Sequence, residues 1–117
     1  MGENILKGKS YSFAISVIKI SEQIIQNKKE YILSKQLTRS GTAIGALIRE
    51  AEFAQSKANF INKMSISLKE ANETLYRINL LKDTNYISEE SSIQLINACK
   101  ELISILVASI KTVKSKL

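Results

Sequence analysis

Three features of this chain point to an all-α protein, an antiparallel up-down-up-down four-helix bundle. There is no proline and there are only four glycines, so the chain holds few breakers. Apolar residues recur at spacings of three and four over long segments, the period of an amphipathic helix. Short polar stretches separate those segments, and short connections make successive helices antiparallel neighbours. At 117 residues, 44% of them apolar and 24% charged, the chain is a single domain with enough apolar surface for a core.

The first helix is expected over about residues 10–27, with Phe13, Val17, Ile20 and Ile24 on one stripe and Ala14, Ile18 and Ile25 beside it. Gly8 and Ser10 read as its boundary and cap, and Lys28 and Lys29 suit the negative end of its dipole. The second spans about 31–53, with Leu33, Leu37, Ser40, Ile44, Leu47, Ile48 and Ala51 facing inward. The third, about 57–82, starts after Ser56 as cap. It carries a coiled-coil-like seam of Phe60, Met64, Leu68, Ala71, Leu75, Ile78 and Leu81, stopped by Asp83-Thr84-Asn85. The fourth, about 88–115, is capped by Ser88. Glu89 and Glu90 open it and Lys111, Lys114 and Lys116 close it, complementing the dipole at both ends.

Apolar residues exceed what one bundle core needs. From Ile93 to Ile110, twelve of eighteen residues are apolar, whereas a one-sided helix needs about eight. Tyr11, Ile15, Ile18 and Ile25 form a second stripe on the first helix, and Ile66 and Leu80 lie off the seam of the third. Such surplus marks a partner surface, and a homo-oligomer is expected. Gly41 and Gly45, one turn apart on the second helix, each cost roughly 1 kcal/mol against alanine. With Ser40 and Thr42 they strip bulk from one patch, so another helix, of this subunit or the next, can approach at backbone distance.

From Gln36 to Ser88 the chain resembles the bacterial 23S rRNA-intervening-sequence proteins. The resemblance rests on Arg39, Ser40, Ile44, Ile48 and Glu50, on Ser56, Lys57, Asn59 and Phe60, and on Leu68, Glu70, Ala71, Glu73 and Thr74. It extends over nearly the whole chain, from the Phe13-Ala14-Ile15 helix onward. It implies a four-helix bundle assembled into a ring, typically a pentamer with a central channel. It also implies kinship with the accessory protein of diversity-generating retroelements, which acts with a reverse transcriptase and nucleic acid. It supplies no catalytic residues. The chain departs from the pattern at Leu47, where many relatives carry asparagine, so any polar contact made by that asparagine is missing here.

Chemistry is sparse. With no histidine, the usual general base, the Ser-His triad and the di-iron motif of ferritin-like bundles are all excluded. Glu70 and Glu73 are a paired-carboxylate candidate, but Glu73 precedes Arg77 by four residues and an ion-pair network is the favoured reading. Cys99, alone on an apolar face, reads as a packing residue. Neither GxGxxG nor GxxxxGK[ST] occurs. No enzyme, metal, cofactor or small-molecule substrate is expected.

Seventeen Lys and Arg against eleven Asp and Glu give a net charge of +6, which favours polyanions. Lysine in the first turn of a helix opposes the dipole unless an anion binds there. Ser56 and Lys57 are therefore a candidate anion contact, together with Arg49 and Lys63 near the same end. The four tyrosines are dispersed, so backbone-directed binding of RNA or DNA is expected rather than sequence readout. The competing expectation is a protein–protein interaction module with no nucleic-acid role. The lone cysteine fits a reducing compartment, no apolar run follows a basic start, and the longest apolar-rich run, Leu102 to Ile110, is too short for a bilayer. A cytoplasmic protein without a membrane role is expected.

Overall fold

In the structure, a computed structural model, residues 2–116 are described, with side chains from Ile5 onward. Four helices follow one another, α1 (Gly2–Lys28), α2 (Ile32–Glu52), α3 (Lys57–Asp83) and α4 (Glu89–Lys114). Each packs on its neighbours in sequence and α4 returns to α1. Among the described residues, the backbones of diagonally opposed helices do not come close to one another. The rod measures 48 × 21 × 19 Å, as helices of 21 to 27 residues require.

Three of the four helices end close to where periodicity places them. Ser56 Oγ accepts the Asn59 N–H at 3.0 Å and Ser88 Oγ accepts the Ser91 N–H at 3.1 Å, so both act as caps. At the start of α2, Tyr31 supplies no side-chain cap; the Glu30 carboxylate takes that role, accepting from the Ile32 and Ser34 N–H groups at 3.2 and 3.0 Å. Lys29 and Asn85, in the turns after α1 and α3, adopt left-handed backbone angles.

The start of α1 differs from expectation. Gly8 and Ser10 lie inside the helix, which begins at Gly2. Ser10 is buried and turns its hydroxyl back to the Lys7 carbonyl at 3.1 Å, a bond that competes with capping. The extra turns bring Leu6, fully buried, into the core, and that burial outweighs the propensity lost at Gly8.

The third helix also sits differently in the core. Met64, Ala71, Ile78 and Leu81 are central as expected, but Ser67 and Thr74 are fully buried while Leu68 and Leu75 lie at the edge. The helix is thus rolled toward α2, and hydroxyls fill the seam. Ser67 Oγ donates to the Ile44 carbonyl at 2.9 Å. Thr74 Oγ1 donates to the Glu70 carbonyl at 2.7 Å and lies 2.9 Å from Ser40 Oγ. Between α1 and α2, Thr38 Oγ1 lies 2.9 Å from Ser21 Oγ. These short side chains satisfy one another and let the helices approach.

On α4, Leu95, Cys99, Leu102, Leu106 and Ile110 seal the core, while Ile93 stays half exposed. An uninterrupted apolar run understates this helix. Taken whole, Glu89–Lys114 is long and apolar enough to cross a bilayer by length and composition, though its innermost row closes the bundle. The α1–α4 seam is the slackest of the four, and a line of shallow grooves follows it. These are floored by Phe13, Ile20, Ile24 and Leu95.

Candidate functional site

Three groups of residues carry the features singled out in the sequence. The first is the glycine pair. A Cβ on Gly41 would stand 2.9 Å from both γ-methyls of Val17, and one on Gly45 would stand 3.1 Å from Ser10 Oγ. The neighbour that needs the missing side chains is therefore α1 of the same chain.

The second group is ionic and joins α2 to α3. Glu73 Oε2 pairs with Arg77 Nη1 at 3.6 Å along the helix. A larger partner comes from across the seam: Arg39 places both terminal nitrogens on the Glu70 carboxylate at 3.2 and 3.3 Å and touches Glu73 at 3.5 Å. The hydrogen bond to Glu70, aided by the charges of Glu70 and Glu73, raises the Arg39 guanidinium above its ordinary value. Glu70 accepts both hydrogen bonds and Arg39 stays half exposed, an arrangement that fastens one helix to the other. Arg77 Nη1 is buried and finds no partner within hydrogen-bond distance among the described residues.

The third group lies at the α2–α3 turn. Lys63 and Arg49 part company there. Lys63 Nζ pairs with Glu50 at 2.8 Å, whereas the Arg49 guanidinium lies over the Tyr11 ring, 5.9 Å from its centroid. Lys57 Nζ reaches the Lys116 carbonyl at 3.5 Å, so the start of α3 meets the end of α4. That contact adds Lys111, Lys114 and Lys116 to the same end of the rod. No carboxylate among the described residues pairs with them or with Lys57. Phe53, which closes α2, projects into solvent there with 82% of its surface exposed. Nothing in the sequence singles out Phe53, because its spacing from Ala51 puts it off the inner face of the second helix without saying how far it stands out from the bundle. Sequence reading missed the α4 lysines because they lie some sixty residues from Lys57, and only the bundle topology joins them.

Among the described residues, no three His, Cys, Asp or Glu side chains gather as a metal site. Cys99 is buried, its thiol 3.3 Å from the Ala71 carbonyl, and burial pushes its pKa up to about 12. Such a thiol is a packing group and not a nucleophile.

Residues 3–108 match the family described as 23S rRNA-intervening sequence protein. The chain belongs to that family. A crystal structure of a protein of unknown function from the S23 ribosomal protein family of Bacteroides thetaiotaomicron is 47% identical to it. The two superpose with a TM-score of 0.93 over 95% of this chain and 99% of that one. No curated protein matches the chain.

Seen in three dimensions, the residues that carry the family resemblance form the α2–α3 hairpin. Arg39 holds Glu70 and Glu73, Ser40 meets Thr74, Glu50 holds Lys63, and Ser56 caps α3. Family membership is thus written in the residues that fasten two helices. Of the positions that carry it, only Lys57 lies in the unpaired basic end.

Proposed function

We propose that this protein is a non-enzymatic accessory or scaffold protein of the cytoplasm. Its copies assemble into a homo-oligomeric ring, a pentamer, and that ring binds the backbone of RNA or DNA through a basic surface. The observation that carries the reading is the clustering of Lys57 with Lys111, Lys114 and Lys116 at one end of the rod, unpaired among the described residues. Beside them lies the positive end of the α3 dipole, which favours anions, although Ser56 already takes the Asn59 N–H there. A ring repeats this end once per subunit, so interactions that are weak singly add through avidity.

The assembly is supported by apolar side chains left in water. On α1, Ile15 and Ile18 are each 41% exposed, and Ile66, Tyr76 and Ile93 stay exposed on α3 and α4. The innermost row of α4 serves the bundle core, which argues for a role in solution over one in a bilayer.

Retention on heparin and on structured RNA across a salt series tests the binding. Removing one lysine that neutralises a phosphate should flatten the log–log salt slope by about 0.7 to 0.9. Replacing Lys57, Lys114 and Lys116 by alanine should therefore reduce the slope by about two to three for each subunit that touches the nucleic acid. No retention of the unaltered protein at low salt would leave the protein-interaction module as the better reading. Light scattering coupled to size exclusion measures the subunit number, and a single-copy particle at micromolar concentration removes the ring.

A further inference from the structure

We propose that Phe53 is a stacking platform for an unpaired base, so that the basic end prefers single-stranded nucleic acid to duplex. The inference rests on the polyanion-binding reading above and adds the class of ligand. Phe53 is the most exposed large hydrophobic side chain among the described residues. Its backbone is held at the end of α2, since its N–H donates to the Glu50 carbonyl at 3.2 Å and closes the last turn.

Cations flank it along the chain, beside a hollow lined by Ile48, Ala51, Ala54, Phe60 and Met64. Arg49 lies one turn earlier on α2, its guanidinium steadied over Tyr11. Lys57 lies four residues later, against Lys116. The acids nearby are already occupied, Glu50 by Lys63 and Glu52 by Lys7, each at 2.8 Å. An exposed aromatic ring at the same end of the rod as cations without a carboxylate partner, with the neighbouring carboxylates neutralised, matches a ligand that alternates flat rings with negative charge. Single-stranded nucleic acid has that chemistry, and stacking of a base on an aromatic ring is sequence-tolerant. A duplex keeps its bases stacked inside and offers Phe53 nothing.

The test compares the full-length protein with Phe53→Ala and Phe53→Trp, using oligouridylate, oligothymidylate and a duplex, each of about 12 nucleotides, the scale of one single-strand site. Heparin serves as a polyanion without bases. The unaltered protein should bind both single strands more tightly than the duplex, and Phe53→Ala should weaken single-strand binding about tenfold, the lower range for loss of one stacked base. Duplex and heparin binding should not change. The protein has no tryptophan, so Phe53→Trp introduces a lone reporter whose emission should be quenched by either single strand and not by heparin. The two single-strand arms separate RNA from DNA, and preference for either supports the proposal.

Unchanged single-strand affinity in Phe53→Ala, or unquenched emission at saturation, overturns the stacking role while leaving backbone binding intact. Absence of binding to every probe overturns both readings together. A change in assembly mass with Phe53→Ala makes Phe53 a subunit contact and overturns the proposal as well.

Discussion

Replacing Gly41 with alanine should destabilise this bundle, although alanine is the better helix former. Intrinsic propensity favours the change by about 1 kcal/mol, and the backbone at Gly41 is ordinary helix, so no strain opposes it. The opposing cost is steric. The new Cβ would stand 2.9 Å from both γ-methyls of Val17 and 3.3 Å from its Cβ, where carbon atoms prefer about 3.5 to 4.0 Å. Val17 cannot give way easily, because it is fully buried and a β-branched side chain in a helix has one strongly preferred rotamer. Part of α1 must move outward, and overpacking of this kind costs about 1 to 3 kcal/mol. The balance is a loss of about 1 kcal/mol, or about 4 °C in Tm for a chain of this size. Urea denaturation at fixed protein concentration measures it, since assembly would otherwise shift the midpoint. A double-mutant cycle with Val17→Ala isolates the interaction and should show a coupling of about 2 kcal/mol, because the steric cost disappears while the propensity gain stays. Gly45→Ala is the internal control. Its nearest neighbour is a hydroxyl, Ser10 Oγ at 3.1 Å, which can rotate aside, so that variant should lie within about 0.5 kcal/mol of the parent or above it. A Gly41→Ala protein as stable as the parent, or strict additivity with Val17→Ala, would refute the close-approach argument.

Two other outcomes follow from buried groups. Thr74→Val removes the hydroxyl facing Ser40 Oγ and leaves that buried oxygen only a 3.5 Å contact with the Leu37 carbonyl. Urea denaturation should show a loss of about 1 to 2 kcal/mol, partly recovered when Ser40→Ala is added, because the pair removed together leaves no orphan. Cys99 should resist thiol reagents at pH 8 until the chain is unfolded, when it should label fully. The unfolded thiol, near 9.0, is about one-tenth thiolate at pH 8, enough to react, whereas the folded thiol, buried and pushed up to about 12, holds almost no thiolate there. The contribution of Cys99 to stability is therefore intact below pH 9 and declines as pH rises from there toward 12. Labelling of the native protein at the rate of a free thiol would contradict its burial.

Much of the architecture could be read from periodicity alone. Ser56 and Ser88 marked two helix starts, and Leu37, Ile44, Met64, Ala71, Ile78 and Leu102 occupy the core as their spacing requires. What escaped has a common physical cause: a one-dimensional pattern weighs residues by type, whereas burial depends on what stands opposite. Ser21, Ser34, Ser67 and Thr74 are buried because each finds a hydrogen-bonding partner, most of them across a narrow seam. Hydropathy counted Leu68 and Leu75 in their place. Ser10 looked like a cap because capping and back-bonding use the same hydroxyl, and only the buried Leu6 beyond it decides between them. The pairing of Glu73 with Arg77 was visible at four-residue spacing, but Arg39 reaches the same carboxylates from another helix and left no local trace. At the basic end, Lys57 was legible as an oddity of the first turn, while its lysine neighbours come from the far end of the chain.

The loose closure between the first and last helices has a consequence for how the molecule comes into being. Three of the four seams join elements adjacent in the chain, so each can zip from its own turn with little loop entropy to overcome. Only the final docking must wait for the two extremities to find each other. It is also the least tightly held, so folding should run quickly through successive hairpins and finish on a latch that is the first to slip open.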